Sequence, residues 1–309
     1  MSESKFRLIT RSDFDGLVCA VLLKELDLID DILFVHPKDM QDGKIAVSDR
    51  DISTNLPYVP GVHLCFDHHA SETLRNAVHA KHVIHPDAPS AARVVFEHYG
   101  GNGRFGTRFN EMMVAVDKAD SAQFSSEEIL APKDWVLLNY LMDSRTGLGR
   151  FREFRVSNYQ LMMDLIDYCR SHGIADILKL PDVVERVELY QEHALRARAQ
   201  LQLCTTVHHN VAVIDLRQEE TIFAVNRFMV YALYPQTNIS IHVMWGVQKQ
   251  NTVCAVGKSI TNRSSKVNIG AMMLANGGGG HENAGTCQVA NERADAVLQE
   301  LVARINAVG

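Results

Sequence analysis

Several aspartates in this chain stand where their side chains can act together. The apolar run Phe6–Thr10 is followed at once by Arg11-Ser12-Asp13-Phe14-Asp15-Gly16. Lys44–Ser48 is followed by Asp49, and Val62–Phe66 by Asp67, His68 and His69. A further segment, VAVDKADSAQF, carries Asp117 and Asp120 at helical spacing. Carboxylates gathered into one small volume repel one another and take up protons unless a cation neutralises them. Carboxylates with a histidine, and without cysteine, suit Mn²⁺ or Mg²⁺ in octahedral geometry. Two such ions about 3.5–4 Å apart, bridged by one carboxylate and activating a water between them, are a general device for phosphoryl transfer. Taken singly, each aspartate is a weak signal, because aspartate also caps helices and Asp13 could cap one beginning near Leu17. The reading rests on three strand ends and the Asp-His-His run taken as a set.

Such convergence requires a parallel sheet. Phe6–Thr10, Ile32–Val35, Lys44–Ser48, Val62–Phe66 and Lys81–His85 read as strands, while Leu17–Leu28 and Ser90–Tyr99 read as helices. Strands this apolar, separated by helices, predict an α/β fold with a doubly wound, mostly parallel sheet. Ligands of such sheets bind outside the carboxyl ends of the strands, and neighbouring strands lie about 4.8 Å apart. Each acid is thereby expected at one edge of the sheet.

From Phe109 to about Gln202 the pattern is mostly helical, with Pro181 opening a connecting helix over Val183–Gln202. A second alternating block follows. Val211–Leu216, Ile239–Trp245 and Thr252–Ser259 read as strands, and Arg293–Val308 as an amphipathic terminal helix. The expected division is a catalytic domain over 1–190, a connecting helix over 191–205 and a smaller α/β domain over 206–309. In the second domain Gly277–Gly280 precede His281. Glycines let backbone N–H groups approach an anion closely. Gly278, Gly279, Gly280 and His281 are therefore candidate phosphate contacts, the alternative being a flexible turn. Lys258, Arg263 and Ser264 suit a second phosphate, and Asn268 and Asn283 a sugar or base.

The 309 residues include 31 Lys+Arg and 37 Asp+Glu, a formal charge of −6. That balance argues against tracking long nucleic acid, which depends on neutralising phosphates, but leaves a local basic pocket open. No apolar run approaches the ~18–20 residues of a membrane span. The first residues lack the order of a signal peptide, so a cytoplasmic location is expected. The six cysteines are scattered without a CxxC pair and read as reduced, buried side chains.

RSDFDG, Asp49, FDHHASE, ADSAQF and GGGGHENAG occur in the order of the DHH phosphoesterases with a C-terminal DHHA1 domain, and the chain resembles that family along nearly its whole length. The resemblance implies an active site in the cleft between two domains, metal-activated water and a two-metal Mn²⁺ centre, with Mg²⁺ as the other candidate ion. It implies that Asp13 and Asp15 each ligate one ion, that Asp49 bridges them, and that His68 and Asp120 complete the set, Asp120 before Asp117. Asp67 would orient His68, and His69 would face the phosphate. One departure stands out. Many members carry a histidine ligand just before the DxD, whereas this chain has Arg11, which offers no lone pair. Arg11 is expected to act as an electrostatic partner beside a weakened first metal site. The implied activity is hydrolysis of linear dinucleotides or very short oligonucleotides. An exopolyphosphatase or pAp-type phosphatase is the alternative, and a nucleotide-binding sensor of weak turnover the alternative of another class. A small phosphate ester is the expected partner, with a homodimer left open.

Overall fold

The structure is a computed structural model that describes residues 5–69, 72–73, 79–151 and 153–309. Ala70 and Ser71 of the FDHHASE motif lie outside the described residues, as does the beginning of the leader reading, Met1–Ser4. The chain forms two compact units. The first comprises Met1–Gln123, Lys133–Ser144 and Leu148–Glu188, and the second Phe124–Pro132, Arg145–Gly147 and Leu189–Gly309. The division falls inside one long helix, Pro181–Cys204.

In the first unit five strands, β1 (Phe6–Thr10), β2 (Ile29–Phe34), β3 (Asp51–Thr54), β4 (Leu64–Asp67) and β5 (His82–Ile84), form an all-parallel sheet of order β2-β1-β3-β4-β5. The order reverses direction between β1 and β3, and a crevice opens at such a switch point. The helix Phe14–Glu25 has every residue from Phe14 to Leu23 buried. A helix apolar on all sides belongs inside a domain. It packs against the helices Ala91–His98, Asn110–Asp120 and Asn158–Ser171.

One expected strand is absent. Lys44–Ser48 forms no ladder; its apolar residues Ile45 and Val47 pack against a cluster of Ile9, Met40 and Leu56 instead. The backbone then turns. Asp51 Oδ2 accepts from Ser48 N at 2.6 Å, and Arg7 Nε donates to Asp51 Oδ1 at 2.7 Å. The strand therefore starts at Asp51, with Arg7, Leu8 and Ile9 of β1 opposite Asp51, Ile52 and Ser53. This moves the carboxyl end of β3 to Thr54 and Asn55.

The second unit holds β6 (Thr205–His208), β7 (Val211–Asp215), β8 (Ile239–Trp245), β9 (Thr252–Lys258), β10 (Gly279–His281) and β11 (Ala284–Val289). Their order is β10-β11-β9-β8-β7-β6, antiparallel except for β7 with β8. Ile239, Ile241 and Val243 alternate toward one face of β8 and meet Met272, Met273, Val297, Leu301 and Ile305 of the helices Ile269–Leu274 and Ala294–Val308. The glycine run is not a free turn, because Gly279 and Gly280 pair with β11. A Cβ on Gly280 would stand 2.3 Å from the Ala284 carbonyl oxygen, and its φ of +156° is one that L side chains rarely adopt.

Candidate functional site

The loop leaving β1 delivers the first two acids. Asp13 caps the helix Phe14–Glu25 by accepting from Gly16 N at 3.0 Å. A Cβ at Gly16 would stand 2.0 Å from the Arg11 carbonyl oxygen, so the turn closes only with glycine there. Two residues after Asp13, Asp15 is buried, and its two carboxylate oxygens accept from Ala91 N at 2.9 Å and Ala92 N at 2.8 Å. These are orphan donors at the start of the helix Ala91–His98, where negative charge is favoured. Burial and the neighbouring Asp120 nevertheless push Asp15 up to about 7, against His68 and the Ala92 N–H, which pull it down.

The end of β4 delivers the histidines. His68 Nδ1 lies 3.1 Å from the Ala88 carbonyl oxygen, which fixes the ring proton on that nitrogen. Nε2 is then left facing Asp120 Oδ2 at 2.9 Å, buried and without a hydrogen bond of acceptable geometry. Two electron-rich atoms this close require a proton or a cation between them. Burial opposes charge on His68, but Asp120 and Asp15 outweigh it and raise the ring to about 9. Asp120, which burial alone would raise, is held below its ordinary value by His68.

Ligand atoms of Asp15, His68 and Asp120 all lie within 4.8 Å of one another, and among the described residues no other His, Cys, Asp and Glu side chains form such a set. A lone pair on His68, whose other nitrogen is tied to a carbonyl, and two crowded carboxylates, Asp15 and Asp120, form the donor set of a hard divalent ion. A divalent metal fits this set.

The structure separates the two aspartates of ADSAQF. Asp120 joins the cluster, whereas Asp117 accepts from Ser90 Oγ at 2.7 Å and Arg93 Nε at 3.0 Å, tying two helices together. It also corrects two expectations. Asp49 is exposed in the turn before β3, at the amino end of the sheet. The four residue steps from Asp51 to Asn55 span roughly 13 Å, so Asp49 stands apart from Asp15, His68 and Asp120. The second concerns Asp67. It does not hold the His68 ring; its Oδ1 takes His69 Nδ1 at 2.7 Å and the His68 N–H at 2.8 Å. Burial resists charge on His69, yet Asp67 raises its pKa, and the side chain is 40% exposed.

Arg11 Nε lies 3.1 Å from Asp13 Oδ2. Sequence reasoning missed Asn55, which occupies the carboxyl end of β3 and donates from Nδ2 to Asp13 Oδ1 at 3.3 Å. Its φ of 55° is in the left-handed region, which asparagine tolerates better than most residues. An asparagine closing the β-branched run DIST was the available signal.

In the second unit the register sets Gly257 of β9, Ala284 of β11 and His281 of β10 in one row. Lys258, Asn283 and Glu282 lie at that same sheet end, with Lys258 Nζ 3.4 Å from Glu282 Oε1. Gly279 is open, and a Cβ there would meet nothing within 4 Å, while a Cβ on Gly278 would collide with the Thr286 carbonyl. Three further candidates are committed locally. Asn268 caps the helix Ile269–Leu274 through Ala271 N, Ser264 Oγ bonds Asn262 and Asn238, and Arg263 Nε donates to the Ile260 carbonyl.

The chain is 61% identical to a pGpG-specific phosphodiesterase, PggH from Vibrio cholerae, over 99% of this chain and 100% of that one, with a TM-score of 0.90. It belongs to the DHH/DHHA1 phosphoesterase family. This DHH/DHHA1 chain also shares its fold with RecJ in complex with Mn²⁺ from Thermus thermophilus, at a TM-score of 0.53 and 13% identity, covering 99% of this chain and 52% of that one. CDC45 from Entamoeba histolytica matches at a TM-score of 0.59 and 9% identity, over 98% and 95% of the two chains. No family model and no curated protein matches the chain. Like other DHH/DHHA1 members the chain is a hydrolase of phosphate esters. No helix among the described residues is long and apolar enough to cross a membrane.

Proposed function

We propose that this enzyme hydrolyses the phosphodiester bond of linear dinucleotides, pGpG first among them, using Mn²⁺ held by Asp15, His68 and Asp120. The observation that carries the reading is His68 Nε2 facing Asp120, with Asp15 in reach, in a chain 61% identical to a pGpG-specific phosphodiesterase. A divalent ion there supplies a Lewis acid for the phosphoryl oxygens and for the attacking water. The protein's own groups do the rest. The N-terminus of Ala91–His98 fixes Asp15, and the Ala88 carbonyl fixes the tautomer of His68. His69, oriented by Asp67, donates a hydrogen bond to a phosphate oxygen or a proton to the leaving oxygen. Arg11, beside Asp13, adds positive charge for the phosphate. In the second unit His281 and Lys258, with the exposed backbone of Gly279 and Gly280, bind the terminal phosphate.

Product analysis with Mn²⁺ on substrates from pGpG to about ten nucleotides, with polyphosphate and pAp alongside and Asp120→Asn as the blank, tests the reading. Cleavage of pGpG to mononucleotides, falling steeply with length and abolished in the blank, is expected. Phosphate release from polyphosphate or pAp with pGpG untouched would overturn it.

A further inference from the structure

The DHH pattern as read from the sequence calls for two cations. The first needs a lone-pair donor before the DxD, then Asp13, and a carboxylate shared with the second ion from the end of the third strand. In the folded chain two of these requirements are unmet and the third, Asp13, is engaged elsewhere. The donor position is Arg11, a permanent cation. The end of β3 is Asn55, a neutral amide that is 1% exposed and points its Nδ2 at Asp13. Its Oδ1 is buried with no hydrogen-bond partner among the described residues, so the amide brings no negative charge to the place of a bridging carboxylate. Asp49, the expected bridge, lies at the other edge of the sheet. Asp13 itself is committed on both oxygens, Oδ1 to Gly16 N and Asn55 Nδ2, and Oδ2 to Arg11.

We infer that this enzyme works with a single divalent cation, on Asp15, His68 and Asp120, and that the Arg11 guanidinium, seated by Asp13 and Asn55, replaces the second ion. Charge supports the substitution. The carboxylates of Asp13, Asp15 and Asp120 are balanced by one divalent ion and one guanidinium. A second divalent ion beside Arg11 would leave excess positive charge with no anionic ligand of its own. Arginine binds phosphate through a planar fork, so it takes over the electrostatic part of a metal's role but cannot activate a water. Water activation is thereby assigned to the Asp15–His68–Asp120 ion. Asn55 is a positioning residue, acting through Asp13 on Arg11.

The inference rests on the metal site proposed above, so its test separates the two. Bound Mn²⁺ is counted by equilibrium dialysis and elemental analysis on the full chain, and the bound ion is examined by electron paramagnetic resonance. Wild type is expected to hold about one Mn²⁺ per chain with the six-line spectrum of an isolated ion, and Asp120→Asn none. The double variant Arg11→His, Asn55→Asp is expected to hold about two, with the spectrum of an exchange-coupled pair. Two coupled ions in wild type would overturn the single-ion inference and leave the Asp15 site standing. A double variant that still holds one ion would overturn the roles given to Arg11 and Asn55. No Mn²⁺ in wild type would overturn the metal site itself. Should the double variant not fold, the wild-type count and spectrum decide alone.

Discussion

Asp117 and Asp120 sit three residues apart on one helix, yet their surroundings give them different work. Asp120 faces His68 across 2.9 Å, while Asp117 is saturated by Ser90 and Arg93. Asp120→Asn is expected to weaken Mn²⁺ binding by at least about 100-fold and to abolish hydrolysis, since a ligand costs more than its supporting partners do. Asp117→Asn is expected to leave Mn²⁺ affinity within about threefold of wild type and to cost about 1–2 kcal/mol of stability, by losing a partly buried charged hydrogen bond. Titration calorimetry with Mn²⁺ and denaturant melts check the pair. Equal metal loss in both variants would contradict the division of roles.

At the scale of elements, the turn that opens the helix Phe14–Glu25 and the strand β8 each carry a testable constraint. Gly16→Ala places a methyl 2.0 Å from the Arg11 carbonyl oxygen, and backbone cannot yield as a side chain can. A loss of roughly 1–3 kcal/mol is expected, together with lowered kcat, because Arg11, Asp13 and Asp15 share that turn. Strand β8 turns Ile241 and Val243 into the core and His242 to the opposite face. Burial pushes His242 down to about 4. As pH falls below the ordinary histidine value of about 6.5, the unfolded chain takes up the proton first, so this contribution to stability is full above that value and is lost toward pH 4. Thermal melts of wild type and His242→Gln between pH 7.5 and 5 should show the smaller decline in the variant; parallel declines would show that another group titrates.

For the molecule as a whole, the proposed function puts chemistry on the first unit and phosphate binding on the second. Lys258→Ala is expected to raise KM for a dinucleotide about tenfold with kcat little changed, the signature of a contact made equally in ground and transition states. Asp120→Asn removes kcat instead. A fall in kcat alone for Lys258→Ala would place that residue in the chemical step. The −6 balance is compatible with this arrangement, because a substrate with few phosphates needs a few fixed cations rather than a basic track.

The amino-acid sequence by itself determines the acids, the histidine pair, the parallel first sheet and the glycine run of the second unit. Hydrophobic period and strand-end position are local properties, so β1, β4, β8 and the helix Ala91–His98 are legible to within a few residues. Where β3 begins is not local. Lys44–Ser48 is as apolar as a strand, but Ile45 and Val47 bury themselves against Ile9, Met40 and Leu56, and the Arg7–Asp51 pair starts the ladder seven residues later than Lys44. That choice sends Asp49 to one edge of the sheet and brings Asn55 to the other. Tertiary structure likewise decided Asp120 over Asp117 and gave Asp67 to His69, because a carboxylate's role depends on which partner the packing of neighbouring elements brings within 3 Å.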